Sequence, residues 1–431
     1  MTQKQKFYGW RVFAGCFLLN VFATALVQGT AALFMNPVIN SGMGFDVGTY
    51  GLVNMLGAMC GAIGAMIVGP KLQKGNMNIV MMVCAIIAGA AVSLKGVTDN
   101  MIVFMVLTGI CNIAMMGLTQ IPTSMLITAW FVHKRSTILS IAFVGNSLGT
   151  VIWPLVFGGI IDGSADGWKL CFILSGIILA AVVIPVSLFL VKKAPALYGQ
   201  QPYTDPKAST DNKATNKNIN WIGVSSKVAT KSKAWLYFVI SVFCIALMLS
   251  GVATNVTNYM VGLGWTNLQG AALLSVYAGI SFICMTFVCG PMFDKIGVQK
   301  ATIVSLVFAI LSLVSLLLAN SNLMVAYGYA LFFALAGGIA KLYASLSVTH
   351  LFGPKEYGKI YANINFFFSI GATCGAILTG IIAKSAGYNV AWIVYIGILV
   401  VAIIAVILSN KASEELKSKY PNGDEPVAEA K

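Results

Sequence analysis

Long apolar runs alternate with short polar breaks along the whole chain. Runs of spanning length fall at 12–34, 48–69, 77–94, 101–128, 138–161 and 169–191, and again at 235–260, 269–292, 300–319, 323–349, 359–383 and 388–409. A helix needs roughly 20 apolar residues to cross a hydrocarbon core about 30 Å thick, so each run predicts one transmembrane helix. The first run is longer than the apolar region of a signal peptide, about 7–15 residues, and counts as a span. The polar stretch 192–233 is rich in Lys, Asn, Thr, Ser, Asp and Pro. It lacks the apolar residues to build a core of its own. The expected organisation is an N-terminal six-helix half at 1–191, a linker at 192–233, a C-terminal six-helix half at 234–409 and a charged, disordered tail at 410–431.

Composition sharpens this picture. Hydrophobic residues make up 58% of the 431 and charged residues 9%, where soluble proteins carry about 25% charged. A soluble enzyme, a disulfide scaffold and a disordered chain are excluded, as is an outer-membrane barrel with its alternating strands. The net charge of +14 raises nucleic acid as a partner, but the positions of the charges answer it. With both termini in the cytoplasm, 23 of the 27 Lys and Arg lie on that side and three, Lys95, Lys169 and Lys384, lie outside. That asymmetry is the positive-inside signal. The basic residues report orientation in a cell membrane, a bacterial cytoplasmic membrane by expectation, and no nucleic acid is needed. The nine cysteines lie in apolar stretches without a CxxC pair or a nearby His and read as packing residues. No metal or cofactor is expected. No GxxxxGK[ST] phosphate loop occurs, so ATP hydrolysis is not expected.

The halves look like copies. Gly69-Pro70-Lys71-Leu72-Gln73-Lys74 and Gly290-Pro291-Met292-Phe293-Asp294-Lys295 are 221 residues apart, and so are the loops beginning at Trp130 and Leu351. Repeats of this kind point to a secondary transporter whose site lies near the midplane where its halves meet. The layout resembles the major facilitator superfamily. Gly290 to Gly297 resembles that superfamily's G-x-x-x-D-[RK]-x-G loop, which implies a gating latch at Asp294 and Lys295. In the first copy Gln73 replaces the acid, so that latch is weaker or uses other groups. Phe7-Tyr8-Gly9-Trp10 and Trp130-Phe131-Val132-His133-Lys134-Arg135 resemble the oxalate–formate antiporter family and the monocarboxylate transporters, with Lys134 and Arg135 as further gating candidates. The resemblance implies an all-α membrane protein of twelve helices in two pseudo-symmetric halves. The family's Arg in the eighth span is Thr286 here, and its Lys in the eleventh span falls in Asn363-Ile364-Asn365. Oxalate therefore does not transfer, while a carboxylate substrate class does.

Lys341 is the one charged residue deep inside any run. Nine residues before His350, it lies about 13 Å into the membrane. A Lys there costs about 2.5–3.5 kcal/mol, and no acid in any span is available to pair with it. The expected partner is the negative charge of a substrate in a central cavity. Gly337 and Gly338 are expected to leave open space on its face. The 221 offset maps Lys341 onto Gln120, whose amide is expected either to hydrogen-bond the far end of the substrate or to hold helices together. Further candidate contacts are Gln28, Asn255, Tyr277, Asn363 and Asn365. A membrane-embedded enzyme would need clustered His, Cys or carboxylates at depth, and both His133 and His350 sit at helix ends. A cation exporter would need a membrane acid. The leading expectation is a monomeric secondary transporter in the lipid bilayer. It carries a small organic anion, a monocarboxylate, by alternating access, in exchange for a counter-substrate. Anion–proton symport and export of a neutral or drug-like compound are the alternatives.

Overall fold

The computed structural model describes residues 7–204 and 221–425, apart from 32, 165, 266 and 320–322. Among these it contains 12 helices long and apolar enough to cross a membrane. Spans one to six are Gly9–Gly29, Thr49–Lys74, Met77–Lys95, Met101–Trp130, Arg135–Ile161 and Gly167–Leu190. Spans seven to twelve are Lys233–Gly262, Leu273–Ile296, Val298–Leu318, Val325–Phe352, Tyr357–Ala386 and Tyr388–Lys419. The chain divides into two compact units, Met1–Lys207 and Ala208–Lys431. Polar side chains start several spans by accepting the orphan N–H groups of the first turn. Asp46 and Thr49 form a reciprocal cap at span two, and Asn76, Asn100 and Ser232 cap spans three, four and seven.

Each unit repeats the same backbone packing. In the first, a Cβ placed on Gly145 of span five would stand 2.7 Å from the Phe17 carbonyl of span one. In the second, a Cβ on Gly371 of span eleven would stand 2.7 Å from the Phe243 carbonyl of span seven. Gly149 against Val21 and Gly375 against Leu247 repeat the match one turn on. All four correspondences carry an offset of 226. The pairs Gly117–Val68 and Gly338–Cys289 keep the offset of 221 read from the loops. The small-residue rows thus bring helix backbones together; along the chain the offset falls from 226 to 221 between spans one and two and returns to 226 by span five.

Several expectations need correction. The first span ends at Gly29 rather than residue 34, because Asn20–Gly29 is wound as a π-helix and a separate short helix, Met35–Ile39, follows. Within this segment the Val21 carbonyl accepts a hydrogen bond from Trp153 Nε1 at 2.9 Å. The tail is not disordered from residue 410. Span twelve runs on to Lys419 with Ser413 and Leu416 buried, and Ser413 Oγ donates to the Leu351 carbonyl at 2.9 Å. The linker is also ordered at both ends. Its start forms a 3₁₀ turn, Pro195–Tyr198, then bridges Tyr203 to Phe131. Its end runs along Phe352, with the Val224 N–H donating to that carbonyl at 3.0 Å, and enters a helix at Ser226–Lys231. Composition argued against a separate core. It did not register that short linker segments can pack on the loops after spans four and ten.

Candidate functional site

Span ten is the most deeply packed span, 72% buried over its central window. From Phe333 to Val348 its residues are buried or half-buried with one exception, Lys341, which is exposed. A helix facing lipid shows a stripe of exposed apolar residues, as span twelve does at Ile393, Val400, Ile404 and Ile407. Span ten has no such stripe around Lys341. Its neighbours one turn away on either side, Gly337 and Ser345, are both buried. The exposure is therefore an isolated opening in a packed helix, not a lipid-facing surface. Lys341 makes no hydrogen bond or ion pair among the described residues.

The eighth span brackets this face. The Tyr277 hydroxyl would lie 3.7 Å from a Cβ on Gly337, one turn before Lys341, and Cys289 Sγ 2.6 Å from a Cβ on Gly338. The expected open space beside the two glycines is thus filled, because they allow span eight to approach. Tyr277 packs against Phe333, ring centroids 5.5 Å apart, which holds its hydroxyl toward the Lys341 turn. Ser281, one turn further along span eight, carries a buried hydroxyl oxygen with no partner among the described residues. Reading for polar side chains missed Ser281. Its i, i+4 spacing from Tyr277 was the available signal.

In the N-terminal unit the matching position behaves alike. Span four is interrupted at 116–119 and restarts as the helix Gln120–Trp130. Gln120 is the one exposed residue between Ala114 and Ile127. No exposed apolar stripe accompanies it; that stripe ends with Ile110. Asn20 Nδ2 donates to the Cys16 carbonyl at 2.9 Å and to Thr123 Oγ1 at 3.4 Å, tying span one to this restarted helix. Gln28 is exposed near the end of the π segment.

The remaining candidates divide. Asn255 is half-buried and its amide nitrogen is engaged locally, donating to the Gly251 carbonyl at 3.0 Å and to Thr254 Oγ1 at 2.9 Å. Only its oxygen is left for another group. Asn363 is half-buried and Asn365 buried. Two positions apart on a continuous helix, they point nearly opposite ways, so one site cannot use both. Asp294 and Lys295 are exposed on the short helix Gly290–Ile296 that follows a π turn, Met285–Cys289. Lys134 caps span five with a left-handed φ of 54°. Asp294, Lys134 and Arg135 all have interaction partners. Where the first copy of the loop lacks the acid, Lys193 of the linker donates to the Gln73 carbonyl and to the Gly75 carbonyl at 3.1 Å. A cation thus neutralises the C-terminal end of span two.

A sequence profile described as the Major Facilitator Superfamily matches residues 17–347 and 285–430. An MFS-type transporter of Gibberella moniliformis is 23% identical over 281 residues, 64% of this chain and 61% of that protein. An agnestins efflux protein of Paecilomyces divaricatus is 24% identical over 278 residues, 62% of this chain and 56% of that protein. The chain thus matches about three fifths of the length of these two relatives. A riboflavin transporter of Saccharomyces cerevisiae is 21% identical over 389 residues, 87% of this chain and 72% of that protein. Among solved structures, the human organic anion transporter MFSD10 superposes with a TM-score of 0.66 at 15% identity, covering 94% of this chain and all of that one (100%). The E. coli fucose:proton symporter FucP superposes with a TM-score of 0.66 at 15% identity, covering 94% of this chain and 99% of that one. At such identities the likeness is one of fold.

Proposed function

Because the chain belongs to the major facilitator superfamily, and is therefore a multi-pass membrane transporter rather than an enzyme, we propose that it carries a small organic anion, a monocarboxylate, bound at Lys341. The observation that carries this reading is the isolated exposure of an unpaired lysine in the most buried span. An ammonium at membrane depth needs a counter-charge, and no described acid supplies one. A monocarboxylate neutralises it. A dicarboxylate would bring a second negative charge for which neither Thr286 nor the Asn363–Asn365 turn offers a cation. Tyr277 supplies a hydroxyl beside Gly337, one turn before Lys341. Tight kinship to the oxalate–formate antiporters and monocarboxylate transporters is part of this proposal, resting on the Phe7–Trp10 and Trp130–Arg135 motifs. So is a cytoplasmic position for both termini, which rests on the distribution of basic residues.

Transport by exchange follows from the same charge. An empty carrier has to reorient with Lys341 unpaired, whereas a loaded carrier reorients neutralised. A second reading, export of a neutral or drug-like compound, is favoured by the relative named as an efflux protein. A panel of labelled monocarboxylates, dicarboxylates and neutral compounds, offered to vesicles preloaded with the same compound, separates the readings. Anion carriage predicts uptake confined to monocarboxylates. Uptake of neutral compounds alone supports the efflux reading instead.

A further inference from the structure

A second cationic site lies at the basic end of the N-terminal unit, built around Tyr8. The Tyr8 hydroxyl donates to the Phe189 carbonyl at 2.5 Å, and its N–H donates to Gln200 Oε1 at 3.0 Å. Two cations lie over its ring, Lys192 Nζ at 3.9 Å and the Arg11 guanidinium carbon at 5.5 Å from the centroid. Lys192 also lies 4.0 Å from the Tyr198 ring centroid. Its backbone is fixed as well, because the Lys192 carbonyl accepts from Trp130 Nε1 at 2.6 Å. Neither cation forms an ion pair among the described residues. Stacking on aromatic faces orders these side chains without neutralising them, so the pair keeps its full charge available.

Exposed apolar side chains lie on the same segments as these cations. Phe189 is 73% exposed and Leu197, in the 3₁₀ turn, 70% exposed, with Leu188 and Trp10 exposed beside them. Span one starts at Gly9 and span six ends at Leu190, so cations and apolar groups lie where two spans leave the hydrocarbon. Water is a poor solvent for that apolar set and a protein partner would need no such depth. Headgroup-level aromatics with adjacent Lys and Arg are the chemistry of a bilayer interface.

We infer that Arg11 and Lys192 form a binding site for the phosphate of an anionic phospholipid, whose acyl chains cover Phe189, Leu197 and Trp10. The first turn of the linker is thereby an interfacial anchor of the N-terminal unit, independent of the transport site at Lys341. The test uses the full chain in detergent and reads its unfolding temperature during titration with phosphatidylglycerol, phosphatidylcholine or glycerol 3-phosphate. Phosphatidylglycerol should stabilise saturably, and the other two should not. The Arg11→Gln, Lys192→Gln double variant should bind phosphatidylglycerol on the order of 20-fold more weakly, and Leu197→Asp should weaken binding too. Unliganded unfolding temperatures check that the variants fold. Arg11→Gln alone removes an exposed cation, and a several-fold loss there supports the site if the double variant is unstable. Equal stabilisation by phosphatidylcholine, an undiminished response in the variants, or equal stabilisation by glycerol 3-phosphate would overturn the lipid site, the last showing a free-anion site in its place.

Discussion

Lys341 was visible in the sequence because charge is scarce in the spans and its position along span ten could be counted. Its setting was not visible. Gly337 and Gly338 read as space, but a glycine pair also lets a neighbouring helix approach, and sequence does not distinguish the two. The structure puts Cys289 against Gly338. Gly338→Ala should therefore destabilise the protein by about 1–3 kcal/mol through overpacking, seen as a lower unfolding temperature. At Gly337 the added methyl would meet the Tyr277 hydroxyl at 3.7 Å, an ordinary contact, so Gly337→Ala should fold normally and alter transport instead. Lys341→Arg should not rescue transport, since a planar fork does not reproduce a point charge. Normal uptake by that variant would mean that only net charge matters at this position.

Element by element, the twelve spans were legible because hydrophobic length is a strong signal. The π winding of span one was not, because Asn20–Gly29 is ordinary in composition for a spanning helix; the break in span four had a local signal in Gly117 and Pro122, a poor helix former and a residue that removes an intrahelical hydrogen bond, which hydrophobic length alone passes over. The repeat makes a sharper prediction. Gly145→Ala and Gly371→Ala each drive a methyl into a backbone carbonyl and should destabilise by similar amounts, while Gly380→Ala, with nothing within 4 Å, should stay within about 1 kcal/mol of the parent. Unequal losses at the first two positions would argue against equivalent packing in the halves. The linker end offers a pH test. Burial favours the neutral form of Asp424, but hydrogen bonds from Lys355 at 2.7 Å and the Ser225 N–H at 2.6 Å outweigh it and hold the carboxyl below its usual value. A depressed native pKa stabilises above the ordinary carboxylate value of about 3.9 and is lost as pH falls through the native value. The pair is about one-third exposed, so the contribution is under about 1 kcal/mol. Amide protection at 221–226, taken relative to the intrinsic exchange rate at each pH, should fall on acidification through that range, and Asp424→Asn should show the reduced protection already at neutral pH.

For the whole molecule, the fold class followed from length, spacing and charge asymmetry, and the superfamily match agrees with it. The substrate did not follow, because one lysine specifies a charge and not a molecule. Exchange makes a prediction at this scale. Vesicles loaded with substrate should take up label much faster than empty ones, and an inward proton gradient should add little. Gradient-driven uptake into empty vesicles would instead contradict exchange and favour anion–proton symport. Anion carriage through Lys341 is tested most directly by comparing the parent and Lys341→Gln, reconstituted at equal density, for uptake of a labelled monocarboxylate into substrate-loaded vesicles. Loss of the ion pair predicts at least about a 30-fold fall in uptake with an unchanged unfolding temperature. Parental uptake by a normally folded Lys341→Gln would contradict it.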